Sequence, residues 1–252
     1  MVSLQVTAIA YLHAPRWKAL ILGLPFPFTT IVLTTGRPVD VTNVLGLVVF
    51  FCYLHGVRLL HQRLRLPIVP AIGLGLAGYC GLSAVAIATV PNTLTTFWVA
   101  AMATAILGLG LYLGLPHRQE PGHRTPLAIW LKLPIIAVVV GLLLLLKEQL
   151  QGFATFFPMV AVVGVYEARH SLWTLSRQIP VMILTMVPLM AVSYVTHPHL
   201  GLAWSLALGW AAFLAVLVPL TLSLWARPEM ADLPAVPEST VAAAVTTKEA
   251  TP

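Results

Sequence analysis

Five ionisable side chains recur at helical spacing in stretches that are otherwise almost free of charge. His55 and Arg58 stand three apart in VVFFCYLHGVR, and Glu167 and His170 stand three apart in VVGVYEARH, with Arg169 between them. Residues three apart share one face of a helix. A charged side chain at a bilayer centre costs roughly 2.5 to 3.5 kcal/mol on insertion scales, so an ionisable group inside a spanning segment is a functional candidate. Imidazole, guanidinium and carboxylate side by side would line a polar cavity for a solute. Glu167 is the best-placed titratable group for coupling uptake to protons. The competing account is structural: long side chains near a helix end reach interfacial water and pair with one another.

Three further positions carry a chemical argument. Pro25 and Pro27 in GLPFPFTT remove two backbone donors, which predicts a kink or interruption near the middle of the first helix. Carbonyls freed there would be met by the Thr29 and Thr30 hydroxyls or by water, and discontinuous helices are where transporters place binding sites; a kink with no ligand is the alternative. Lys147, followed by Glu148, closes a fifth helix and would attract an anionic solute or serve as half of a helix-end ion pair. The substrate-binding candidates are therefore His55, Arg58, Glu167, Arg169, His170, Lys147, Pro25 and Pro27.

Catalytic and metal chemistry find less to work with. GxSxG, HExxH, Walker A and paired-carboxylate patterns are absent. Of eight acidic residues, Glu229, Asp232, Glu238 and Glu249 lie near the C-terminus and Glu120 in a central loop, leaving Asp40, Glu148 and Glu167. No catalytic residue is assigned. His197 and His199 offer two metal donors without a third, and a haem would require His55 and His170 at one depth on facing helices; neither a metal nor a cofactor is assigned. Cys52 and Cys80 fall inside apolar segments and read as buried free thiols.

The elements that would position these groups are spanning helices. Hydrophobic residues make up 59% of the 252, and Asp, Glu, Lys and Arg only 9%, against about 25% charged in a soluble domain. Mean hydropathy is +0.91. The apolar runs are continuous, not alternating over about ten residues as in a membrane barrel, so the fold class is all-α. Eight runs approach the ~20 residues that cross a ~30 Å hydrocarbon core: 17–34, 43–60, 66–90, 93–115, 127–146, 152–172, 179–196 and 200–225. Small residues Gly73, Ala77 and Gly81, every four positions, with Gly75 and Gly78 nearby, predict close helix packing along the third run. The first run is expected to direct insertion, with no cleavable signal peptide before it.

Charge fixes an expected orientation. With the N-terminus cytoplasmic, twelve of the fourteen Lys and Arg fall on the cytoplasmic side, leaving Arg37 and Lys147 outside. The net charge of +6 is thereby read as topology and not as nucleic-acid binding. Both termini are expected in the cytoplasm of a cell with this protein in its inner membrane. The polar connection 116–126 (PHRQEPGHRTP) splits the chain into 1–115 and 127–225, four helices each, and 226–252 reads as a disordered tail. At a shift of 113 residues Trp17 falls on Trp130, Tyr53 on Tyr166 and Pro67 on Pro180, and one residue less sets Trp98 on Trp210. Four helices per half is even, so the copies would be parallel repeats about an axis along the membrane normal.

Three segments of the second half carry a family likeness: KLPIIAVVVGLLLLLK (Lys132–Lys147), FFPMVAVVGVYEAR (Phe156–Arg169) and QIPVMILTMVPLMAVSYV (Gln178–Val195). With a basic residue closing the first of these helices and a Phe-Pro near the start of the second, this half resembles the small four-helix GlpM-like membrane proteins. The first half departs from the pattern, with Val44 and Leu45 in place of Phe-Pro and Thr34 in place of Lys147. The resemblance implies a tandem duplication of a four-helix unit and implies no activity.

Three functional readings follow, led by a transporter or permease for a small or amphiphilic solute with its site between the halves. The alternatives are a non-catalytic accessory or scaffold subunit, which requires a membrane-protein partner, and a membrane enzyme acting on a lipid or quinone. In each the lipid bilayer is the medium and nucleic acid is no partner.

Overall fold

The computed structural model describes residues 24–114, 149–167 and 179–226, with isolated positions 134, 138, 141, 145, 169, 172 and 176. Every regular element among these is helical. The chain divides into two compact units, Met1–Leu217 and Val218–Pro252.

α1 (Phe26–Thr35) begins after a bend at Leu24, with Pro25 at its N-cap and Pro27 in its first turn. Proline is tolerated there because the first N–H groups of a helix have no partner in it. The prolines therefore open α1, where an interruption near the middle of the segment was expected. The carbonyls they would free belong to residues 21 and 23, outside the described residues. The Thr29 and Thr30 hydroxyls instead donate to Pro25 O and Phe26 O within α1, both at 2.8 Å. Gly36, at φ 65°, ends the helix.

α2 (Val41–Arg58) starts from Asp40 in a reciprocal cap and continues through a π turn, Leu59–Arg63. α3 (Ile68–Thr89) begins after Pro67 and ends before Pro91. α4 (Leu94–Gly114) is opened by Thr93, whose Oγ1 accepts from Thr96 N at 3.2 Å. A 3-10 turn, Gln151–Phe156, precedes α5 (Met159–Glu167). The expected sixth helix was to begin at Gly152; it begins after Pro158, because proline forces the residue before it to extended backbone and Phe157 sits at ψ 129°.

α6 (Ile179–Ala226) is broken at Gly201, where φ 74° and ψ 174° fit glycine alone. Ser193 Oγ donates to Ser205 O at 3.2 Å, whereas twelve residues along a straight helix would span about 18 Å. The chain thus reverses at Gly201 into two antiparallel arms. Gly209 lies against Leu189 O, where an added Cβ would stand 2.8 Å away.

Four helices, Val41–Arg63, Ile68–Thr89, Leu94–Gly114 and the two-armed Ile179–Leu222, are long and apolar enough to cross a bilayer. Large apolar side chains cover their outer faces: Val99 is 63% exposed, Ile106 66% and Trp204 71%. A soluble monomer does not present such a continuous apolar coat, and lipid does not penalise it. The chain is a membrane-embedded helical protein.

Close packing inside the bundle runs through glycines. A Cβ on Gly75 would stand 2.5 Å from Val57 Cγ2 and 3.0 Å from Tyr53 Cε2, and one on Gly108 would stand 2.5 Å from Ile183 Cγ2. The Tyr194 ring stacks on Phe97 at 3.8 Å. The expected stripe of Gly73, Ala77 and Gly81 points away from the core, and a Cβ on Gly73 or Gly81 would meet nothing within 4 Å. The fifth expected run and the 116–126 connection fall almost wholly outside the described residues, as do the start of the first run and 227–252.

Candidate functional site

The most developed polar assembly lies where α2 begins, and no ionisable pair announced it. Asp40 Oδ1 accepts from Thr42 N at 2.8 Å and Thr42 Oγ1 at 2.5 Å, while Asn43 Oδ1 accepts from Asp40 N at 2.8 Å. That reciprocal cap satisfies donors a helix start leaves free. The same side chains hold the 3-10 turn. Gly152 N donates to Thr42 Oγ1 at 2.9 Å, and Asn43 Nδ2 donates to Gly152 O and Thr155 Oγ1, both at 3.2 Å. Thr155 Oγ1 donates to Gly152 O at 2.6 Å. From α3, Tyr79 Oη donates to Phe153 O at 2.7 Å. Non-helical backbone survives in a membrane protein only where protein or water satisfies it, and here Asn43, Thr42 and Tyr79 do so.

Glycine is required at 152, since a Cβ there would strike Thr42 Oγ1 and stand 2.7 Å from Asn43 N. Gln151 before it is held at φ 49°, a left-handed conformation that costs a non-glycine residue about 1 to 2 kcal/mol. Asn92, just past the end of α3, donates from Nδ2 to Asp40 Oδ2 at 3.3 Å. Beside this assembly opens a recess of about 550 Å³, with Thr42, Thr89, Asn92 and Gln151 among its lining residues.

The charged candidates lie toward the other end of α2 and on α5. His55 is half-buried with its ring tilted on Phe51 at 4.2 Å. Its Nε2 is buried with no hydrogen-bond partner among the described residues, and so is Tyr53 Oη half a turn earlier. Arg58 is half-buried. Arg169 lies 5.5 Å over the Tyr166 ring, a cation–π contact. Glu167 closes α5, but its side chain, His170 and Lys147 lie outside the described residues. His55 and Arg58 thus share α2 as expected, and α5 packs on α3. Pro25 is buried; Trp210 Nε1 donates to Thr29 Oγ1 at 2.8 Å, joining α1 to the second arm of α6. Cys52 is exposed and Cys80 half-buried, both as free thiols, so burial was the wrong expectation for Cys52.

No protein-family model matches the chain, and comparison with curated proteins and with solved structures finds no significant similarity.

Proposed function

We propose that this chain is a transporter or permease for a small or amphiphilic solute, built from eight spanning helices in two parallel four-helix repeats. Both termini face the cytoplasm, and the membrane is the inner membrane of the cell. The observation that carries the reading is the interrupted helical path at 151–158, wedged against the start of α2 beside an open recess. Interrupted helices with satisfied backbone are the usual setting of solute sites in secondary transporters.

Two other observations support it. Asn43 bonds Thr155 across 112 residues, close to the shift of 113 that aligns the halves. A pseudo-two-fold axis between the starts of the second helix and its counterpart would bring equivalent positions together in this way. Tyr53 Oη and His55 Nε2 are polar atoms held in the bundle without a described partner, which suits groups kept for water or solute. His55, Arg58, Glu167, Arg169 and His170 then form the cytoplasmic half of the pathway, and Lys147, Pro25 and Pro27 flank its other parts.

A second reading, an accessory subunit of a membrane complex that acts through a protein partner, is favoured by the tight contacts of Gly108 on Ile183 and Phe97 on Tyr194. Uptake into liposomes separates the two. A transporter accumulates at least one labelled solute from a broad panel under an imposed gradient, and failure of every solute under every gradient counts against transport. For proton-driven uptake, Glu167→Gln abolishes accumulation; unchanged uptake with unchanged pH dependence removes Glu167 from the mechanism.

A further inference from the structure

The recess beside Asp40 has a chemical character that the transport reading leaves open. Three kinds of wall meet there. One is the C-terminal turn of α3, from Ile87 to Val90. The last four carbonyls of a helix have no N–H partner inside it, and Pro91, which lacks an N–H, cannot serve that of Ile87. These carbonyls carry the negative end of the helix dipole. The second wall is neutral and polar, made by Thr42, Asn92 and Gln151. The third feature is the carboxyl group of Asp40 directly behind it, which accepts from both Thr42 and Asn92. Among the described residues, no Lys or Arg lines the recess.

Carbonyl oxygens, amides and a carboxylate one bond removed favour positive charge and N–H donors. A bare metal ion fits poorly: among the described residues one carboxylate, Asp40, stands near, and no group of three His, Cys, Asp or Glu side chains forms a metal site. A volume of about 550 Å³ suits a small organic molecule, for which pockets run from roughly 300 to 1,000 Å³. The flanks from Ile87, Ala88 and Val90 supply apolar surface for a hydrocarbon portion. We infer that this recess binds a small organic cation, an ammonium or guanidinium compound with an apolar body, its N–H donors directed to the end of α3. The inference rests on the transport reading only for its purpose, as the point of entry of the solute; binding itself is independent of transport.

The test uses the full chain in lipid nanodiscs and three probes of one skeleton: 3-phenylpropylammonium, 3-phenylpropanol and 3-phenylpropionate. Titration calorimetry is expected to give saturable binding of the ammonium at least tenfold tighter than the alcohol, and none of the carboxylate. Ile87→Trp, which fills the recess from an apolar position, is expected to weaken ammonium binding more than tenfold with no loss of thermal stability. Asp40→Asn, which keeps its oxygen acceptor, is expected to weaken it severalfold. Equal binding of ammonium and alcohol, preference for the carboxylate, or an Ile87→Trp protein that binds as before would overturn the inference. Cation binding without liposome uptake would uphold the site and count against transport, whereas uptake of a solute that the ammonium does not inhibit would uphold transport and overturn the recess as its point of entry.

Discussion

At its start α2 has its polar side chains tied to their surroundings: Asp40 to Thr42 and Asn92, Thr42 to Gly152, Asn43 to Gly152 and Thr155. Three to four turns later, Tyr53 Oη and His55 Nε2 are buried with no described hydrogen bond, and the helix relaxes into a π turn. The difference lies in what each end packs against. The first end meets irregular backbone, the 3-10 turn, whose exposed N–H and C=O groups need partners. Among the described residues, Tyr53 and Val57 meet α3 at Gly75, within a regular helix whose backbone is satisfied internally. In a bundle surrounded by lipid, a neighbour's broken backbone has to be met by polar groups, and the start of α2 supplies them.

The contrast can be broken most severely at the knot itself. Gly152→Val would drive a branched side chain into Thr42 and Asn43, both already fixed by hydrogen bonds; overpacking of this kind costs about 3 kcal/mol or more. The expected result is loss of the monodisperse species on size-exclusion chromatography, or a large fall in Tm in detergent. Asn43→Leu comes next. It strips a donor from Gly152 O and breaks the cap on Asp40, for about 2 kcal/mol, read as a lower Tm.

Gly75→Ala sets the scale of plain packing: its Cβ meets Val57 and Tyr53, and a loss of about 1 kcal/mol is expected. Gly73→Ala, on the outward face of the same helix, should leave Tm unchanged or raise it, and a fall as large as that of Gly75→Ala would show that the outward stripe is also an interface. The smallest effect is expected at Tyr53. Tyr53→Phe removes a hydroxyl without a described partner, so Tm should move by less than the equivalent of about 0.5 kcal/mol. A drop as large as that of Asn43→Leu would erase the distinction between the ends.

Much of the fold was legible in the sequence because membrane spans are written in long apolar runs. The third and fourth runs, expected at 66–90 and 93–115, are observed as Ile68–Thr89 and Leu94–Gly114, their ends marked by Pro67, Pro91 and Thr93. The second runs on to Arg63 through its π turn, which apolar periodicity does not encode. The seventh and eighth runs are the two arms of α6, and Gly201 was the visible signal of their junction. Of the small residues expected to pack α3 closely, Gly75 makes the contact, whereas Gly73, Gly78 and Gly81 face outward, because spacing fixes a face without saying whether that face meets protein or lipid.

The polar knot escaped for another reason. Weighing residues by the cost of burying charge favours His55, Arg58 and Glu167 and passes over neutral donors such as Asn43 and Thr42. The pattern Asp40–Val41–Thr42–Asn43 ahead of an apolar run was a readable helix cap. Its partner, Gly152, lies more than a hundred residues away in a turn with no periodicity, so no local signal joined them. Phe157–Pro158 did mark where the helix had to restart.

The proposed topology, with both termini cytoplasmic, puts the Asp40 end of α2 on the outer side of the membrane and its basic end on the inner side. Single cysteines at Asn92→Cys and Gln62→Cys, in a background of Cys52→Ala and Cys80→Ala, can be probed with a membrane-impermeant maleimide on intact spheroplasts. Labelling is expected at 92 without permeabilisation and at 62 only after it. Labelling of both from the same side, or the reverse order, would contradict that topology.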